Sequence, residues 1–257
     1  MRLPRKQPIV GVNIAATNYA EVCDLCRAWI DARDPQAHSI ALLTVHSVMT
    51  AVFHKDLRRV LNETDIAAPD GMPLAWALRS HGVRRQPRVY GPDLMLALCE
   101  QAAKLGHRIF LYGGRDEVLD TLQRNLHARF PGLDIADAYA PPFRPLTPDE
   151  DRDIVGRIRE SGAHIVFVGI GAPKQERWMA SHGDKLPGVV MLGVGAAFDF
   201  HAGRVKQAPR WMQRSGLEWF FRLLMEPRRL WKRYMLNPLF LAMWLLELVG
   251  IRLVTAR

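Results

Sequence analysis

Short runs rich in Val, Ile and Leu alternate along the chain with amphipathic segments of roughly 8–16 residues. Several of these runs end in paired glycines or in Gly-x-Gly, and near Arg204 the alternation gives way to cationic, aromatic segments. Together these observations predict an α/β fold: a Rossmann-like, mostly parallel sheet with flanking helices and a helical C-terminal appendage. The expected division is an α/β domain over 1–203 and a basic, aromatic-rich appendage over 204–257.

The elements follow in order. Residues 19–32 form an amphipathic helix that carries Cys23 and Cys26 on one face. A buried strand is expected over 40–45, then one helix over 46–61 with Val48, Val52, Leu57 and Val60 as its apolar positions. A short strand and turn at 65–70 precede a helix at 73–78, with Pro73 in its first turn. Helices are expected at 92–105, 116–130, 147–161 and 173–182, and strands at 108–112, 133–138, 165–168 and 189–192. Asp199 is read as a polar residue within an apolar strand end. Ligands of such sheets sit at the carboxyl ends of the strands. Thr44, Asp70, Gly113, Gly169 and Gly193 all fall at or just past such ends.

The net charge of +9 points to an anionic partner: nucleic acid, a membrane surface or a phosphorylated substrate. Its distribution chooses among them. Residues 204–233 hold nine Lys/Arg against Glu218 and Glu226, interleaved with Trp211, Trp219 and Trp231, and run into the apolar segment 238–251. Phosphate plus membrane surface fits this better than nucleic acid, because basic nucleic-acid patches rarely lead into an apolar tail. The unbroken apolar run at 238–246 is too short for a span, which needs about 20 apolar residues. It reads as a helix lying in the interface, with Arg228, Arg229, Lys232 and Arg233 reaching headgroups, or as a core or dimer helix. The cysteines Cys23, Cys26 and Cys99 are few and odd in number, which suits a reducing compartment, and no second Cys pair completes a zinc site. The basic N-terminus is followed by no long apolar run of a secretory signal.

Several motifs can carry chemistry. Gly169-x-Gly171 and Gly193-x-Gly195 lack the third glycine of a dinucleotide fingerprint, which argues against an oxidoreductase. Gly113-Gly114 is either a nucleotide-contacting turn or an ordinary strand-to-helix turn. Asp70-Gly-Met-Pro73 reads either as a base at a strand end or as a turn near a helix N-cap. Gln175 lies in the first turn after a Gly-x-Gly loop, where amides face a ligand, and Lys174 beside it is either a phosphate contact or a solvated cation. The one Asp-x-Asp triplet, Asp151-Arg-Asp153, reads as the acidic start of a capped helix rather than a metal site. Arg222, Arg229 and Arg233 are expected to share a helical face, at spacings of seven and four, and to offset a diphosphate.

Gly169-x-Gly-x-Pro-Lys-Gln-Glu176, Gly193-Val-Gly-Ala-Ala-Phe-Asp199, Ala208-Pro-x-Trp-Met-x-x-x-Gly-Leu-Glu-Trp219, Asp70-Gly-Met-Pro73 and Arg88-Val-Tyr-Gly-Pro-Asp93 resemble motifs of the WecG/TagA/CpsF glycosyltransferases. The resemblance runs from about Gly11 to about Leu241. It implies an inverting, metal-independent transfer of a hexose from a UDP-sugar to a polyprenyl-diphosphate-linked saccharide, on the cytoplasmic face of a bacterial inner membrane. It implies Asp70 as the general base, Arg88 and Asp93 at the substrate, and Thr44 at the donor site. His46 stands where the family's Thr-x-Asn motif has asparagine, which ranks UDP-glucose or a related hexose beside UDP-N-acetylmannosamine. The rival reading is a non-catalytic membrane or nucleic-acid binder using the basic tail. RNA binding with a steep salt slope and no nucleotide-sugar binding would distinguish it.

Overall fold

The structure, a computed structural model, describes residues 2–256. Strands β1 (Lys6–Ile9) and β2 (Val12–Ala15) pair as an antiparallel hairpin. Six further strands are β3 (His38–Leu43), β4 (Ile66–Pro69), β5 (Arg108–Gly113), β6 (Asp134–Tyr139), β7 (Ile165–Gly169) and β8 (Val190–Gly193). They form a six-stranded parallel sheet in the order β4-β3-β8-β7-β5-β6. The helices in the first part of the chain are α1 (Tyr19–Asp31), α2 (Val45–Phe53), α3 (Lys55–Glu63), α4 (Met72–Ser80), α5 (Gly91–Leu105), α6 (Asp116–Arg129) and α7 (Pro148–Ser161). They continue with α8 (Lys174–His182), α9 (Ala197–His201), α10 (Arg210–Arg214), α11 (Glu218–Met225), α12 (Pro227–Tyr234) and α13 (Asn237–Leu248). This is the expected Rossmann-like α/β architecture with C-terminal helices.

The chain divides into two compact units. The first is built from Tyr19–Ile40 and Gly91–Val205, the second from Arg2–Asn18, Ala41–Tyr90 and the segment from Lys206 onward. The sequence reading cuts the chain once, at residue 203, and sets the C-terminal segment apart as an appendage. In the structure that segment shares a unit with residues 2–18 and 41–90. Bonds between residues distant in sequence hold it there. Both carboxylate oxygens of Glu247 accept from the Val10 amide, at 3.0 and 2.9 Å. The Asn62 side chain accepts from Asn13 N (2.8 Å) and donates to the carbonyls of Gly11 (3.3 Å) and Ala256 (3.0 Å).

In the first unit, β5, β7 and β8 run parallel, with Tyr112 opposite Val168 and Val168 opposite Gly193, and their side chains form the core. Helix α7 starts at Thr147 with a capping box to Glu150, carries Pro148 at its first position and stops at Gly162 (φ +64). Asp151 of the Asp-x-Asp triplet spends its carboxylate on His182 Nε2 (2.9 Å) and Lys185 Nζ (2.6 Å). Cys23 and Cys26 lie on α1, and burial pushes both thiols up, Cys23 to about 11. Neither is therefore a ready thiolate.

Two expectations are corrected, and one element is new. The single helix over 46–61 is two, α2 and α3, because His54 takes an extended backbone (φ −126, ψ 98). Its apolar positions belong to separate stripes, with Val48 and Met49 buried on α2 and Leu57 and Leu61 on α3. Asp199 lies in the short helix α9, not a strand: the chain turns after β8 through Gly195 (φ +56), and the Asp199 carbonyl accepts from Arg204 and Val205. The β1–β2 hairpin has no counterpart among the expected elements. Its two central residues, Val10 and Gly11, both have positive φ (48 and 77), as a two-residue hairpin turn demands. Valine is a rare choice there, and the Glu247 clamp on its amide accompanies it.

Candidate active site

In the second unit, β3 and β4 end beside one another. The Leu43 carbonyl accepts from the amides of Asp70 (2.9 Å) and Gly71 (3.3 Å), which seats Asp70 next to Thr44. Asp70 is half-buried. Arg88 donates through Nε to the Asp70 carbonyl and through Nη2 to Asp70 Oδ1 at 3.3 Å. Its Nη1 forms an ion pair with Glu218 Oε2 at 2.6 Å, and its guanidinium lies 4.0 Å from the centroid of the Tyr90 ring. Burial disfavours the Arg88 charge, but Asp70 and Glu218 outweigh it and hold the guanidinium above its ordinary value. Arg88 therefore serves two carboxylates at once.

Thr44 caps α2: its hydroxyl accepts from the Ser47 amide (3.4 Å) and from Arg233 Nη2 (3.3 Å). Among the described residues that is the hydrogen bond Arg233 makes, and no carboxylate forms an ion pair with it. Burial first, and then the charges of Arg222 and Arg229, pull the Arg233 guanidinium below its ordinary value. Tyr234 and Asp70 act in the opposite sense, and burial prevails. A largely desolvated guanidinium with other arginines near it favours an anionic ligand. His46, in the first turn of α2, is pushed down to about 4 by burial and by Arg233. The imidazole is therefore neutral near pH 7, and its Nδ1 is buried with no hydrogen-bond partner among the described residues.

Arg222 lies on α11, whereas Arg229 and Arg233 lie on α12, so the expected single helical face is corrected. Glu226, whose backbone is non-helical (φ −135, ψ 58), and Pro227 break the helix between them. Arg229 is exposed and held by Glu226 at 2.7 and 2.9 Å. Arg222 is half-buried. The turn between α10 and α11 seats against α4: a Cβ on Gly216 (φ +76) would lie 2.7 Å from the Trp76 ring.

The first unit holds the other expected residues. Gly113 (φ +132) packs so closely on Gly169 that a Cβ would lie 2.5 Å from the Gly169 carbonyl carbon. Gly169 in turn rests on the Phe198 ring, 2.6 Å from where its own Cβ would be. Gly114 (φ +73) completes the turn into α6. Gln175 is buried at the start of α8; its side-chain oxygen accepts from Gly195 N (3.0 Å), and its amide donates to Glu176 Oε1 (3.1 Å). Its side chain also lies where a Cβ on Gly193 would be. Gln175 therefore ties the α8 turn to the turn after β8. Asp93 is half-buried in the first turn of α5.

The Glycosyl transferase WecG/TagA/CpsF family model matches residues 7–253. The chain belongs to this family. It is similar to the N-acetylglucosaminyldiphosphoundecaprenol N-acetyl-beta-D-mannosaminyltransferase of Bacillus subtilis (strain 168), with 32% identity over 203 residues, 77% of this chain and 75% of that protein. It is a WecG/TagA/CpsF glycosyltransferase.

Against that family frame, Thr44, His46, Asp70, Arg88, Arg222 and Arg233 all fall within one compact unit. Glu218 and Tyr90, which contact Arg88, escaped the site reading. Glu218 had one signal: it is one of only two acids within a stretch of nine cations. In the C-terminal segment Trp211, Leu224, Met235 and Val249 are from 63 to 72% exposed. Among the described residues no helix is long and apolar enough to cross a membrane.

Proposed function

We propose that this glycosyltransferase moves a hexose from a UDP-sugar to a polyprenyl-diphosphate-linked saccharide, inverting the anomeric centre and using no metal. Asp70 takes the proton from the acceptor hydroxyl as that oxygen attacks the anomeric carbon, and UDP leaves. Arg233, backed by Arg222, offsets the charge that grows on the leaving diphosphate. Thr44 and His46 face the donor, with His46 as a neutral hydrogen-bonding ring. UDP-glucose and UDP-N-acetylmannosamine are the first donors to compare. The relative's name, which pairs a mannosaminyl group with a diphosphoundecaprenol acceptor, supports the acceptor class.

The observation that carries this reading is Arg233: a cation drawn below its ordinary value by burial and by neighbouring arginines, hydrogen-bonded to Thr44. A diphosphate is the ligand that such a place favours most. The exposed apolar side chains of α10–α13, with Arg210, Arg214, Arg228 and Lys232 among them, support docking on an anionic membrane surface, the cytoplasmic leaflet in this reading.

The test is a thermal-shift series with UDP, GDP, UDP-glucose, UDP-N-acetylmannosamine and UDP-glucuronate, with and without EDTA. A ligand at 100 times its Kd stabilises by about 2.7 kcal/mol. The expected result is stabilisation by UDP species that survives EDTA and is weakened at least tenfold in affinity by Arg233→Met. Loss of the shift in EDTA would remove the metal-independent reading. An unchanged UDP affinity in the Met variant would remove Arg233 from the diphosphate.

A further inference from the structure

We infer that Glu218 is a positioning residue for the transfer reaction: through Arg88 it fixes the carboxylate of Asp70. The inference rests on the reading of Asp70 as the base.

The arrangement is a chain of three charges. Asp70 Oδ1 faces Arg88 Nη2, and Arg88 Nη1 faces Glu218 Oε2 at 2.6 Å, the shorter of the two pairs. The backbone carbonyl of Asp70 accepts from Arg88 Nε, so one guanidinium holds both the carboxylate and the backbone of that residue. Arg88 has a planar fork, and fixing one arm aims the others. The Tyr90 ring covers one face of that plane at 4.0 Å, which leaves rotation within the plane as the motion Glu218 restrains. Glu218 is itself buried and is the first residue of α11. The helix that brings it in is located by Gly216, whose missing Cβ leaves room for the Trp76 ring on α4, and α4 begins two residues after Asp70. Two independent contacts thus tie α11 to the strand end that carries Asp70.

A carboxylate that only balanced charge would act on Arg88 through Coulomb energy, which needs no particular orientation of the fork. A positioning carboxylate acts through the geometry it imposes, and a displacement of about 1 Å at a reacting group costs on the order of 100-fold in rate. Glu218 touches neither donor nor acceptor in this scheme, so it affects the chemical step and leaves nucleotide affinity alone.

The experiment uses the full chain with a short polyprenyl-diphosphate-linked acceptor, and measures kcat together with UDP affinity by calorimetry. Glu218→Gln is expected to lower kcat about 10- to 100-fold with UDP affinity unchanged. Glu218→Asp, which keeps the charge on a shorter stem, is expected to recover part of the loss, and it carries the test if the Gln variant does not fold. In an Asp70→Asn background, Glu218→Gln is expected to cause no further loss. An unchanged kcat, a fall in UDP affinity that accounts for the whole effect, or full additivity with Asp70→Asn would each overturn the positioning role. Full activity of Asp70→Asn alone would instead overturn the base assignment, and is read separately.

Discussion

Asp70 and His46 lie in the same unit. Asp70 and Glu218 hold the Arg88 guanidinium above its ordinary value; in the proposed reaction the base is Asp70. Replacing it with Asn keeps the size and removes the base; kcat should fall about 100- to 10,000-fold while UDP still binds, as measured by steady-state rates and calorimetry. His46 is held neutral, its pKa drawn from the ordinary 6.5 to about 4 by burial and Arg233. Between those values the unfolded chain binds the proton and the folded protein does not. His46 therefore favours the folded state above pH 6.5, and that contribution is lost progressively as pH falls toward 4. Denaturant unfolding of wild type and His46→Asn at pH 7.5, 6 and 4.5 should show a shallower acid decline in the variant. An identical decline would mean that the imidazole is not the group responsible. Thr44 and Asp70 were legible as strand-end positions from the local apolar pattern, and His46 only through the resemblance to the Thr-x-Asn motif. Glu218 was not: its pairing with Arg88 spans about half of the chain, and no periodicity reports such a contact.

At the scale of elements, the glycine turns give the sharpest expectations. Gly113→Ala would drive a Cβ to 2.5 Å from the Gly169 backbone at a φ of +132, where no flexible side chain can yield. Gly216→Ala meets side chains rather than backbone, the edge of the Trp76 ring at 2.7 Å and Met72 Cβ at 3.3 Å, at a φ of +76. The first should cost more than about 3 kcal/mol and the second about 1–2 kcal/mol, in equilibrium unfolding. The reverse order would contradict the packing described for β5 and β7. Strands β5, β7 and β8 were legible as continuous apolar runs, and α7 from its capping box. The break at His54 was not, because nothing in His-Lys forbids a helix: only the burial of Leu57 and Leu61 on a second stripe sets it. The β1–β2 turn was missed for a related reason. Val-Gly is a weak hairpin signal, and Glu247, which completes it, is remote in sequence.

For the whole molecule, the C-terminal helices present two kinds of surface. One is internal to their unit: Glu247 on Val10, Trp244 Nε1 on Ser80 Oγ (3.1 Å), and Phe240 buried on α13. The other is the exposed set that includes Trp211, Leu224 and Met235 beside arginines. Sedimentation with vesicles should show binding that increases with anionic lipid, weakens as salt rises from 0.1 to about 0.5 M, and drops when Trp211 and Leu224 are changed to Ser. Salt-independent binding would point to apolar insertion alone. Removing the Glu247 carboxylate as Glu247→Ala should destabilise the fold by about 1.5–3 kcal/mol, the range for hydrogen bonds to a charged group, and thermal melts would report it. A chain cut near residue 203 loses this part of the unit, so its inactivity would say nothing about membrane docking.

The assembly of the second unit from three stretches of chain has a consequence for how the protein is made. Arg88 leaves the ribosome while Glu218 is still to be translated, and at typical synthesis rates the interval is on the order of ten seconds. During that time the nascent chain carries Asp70 beside a guanidinium whose second anchor does not yet exist. The strand end bearing Asp70 therefore gains its second anchor late, from a helix that arrives after the strands of the sheet have been translated. In the proposed reaction, sugar transfer would then begin only after α11 has left the ribosome.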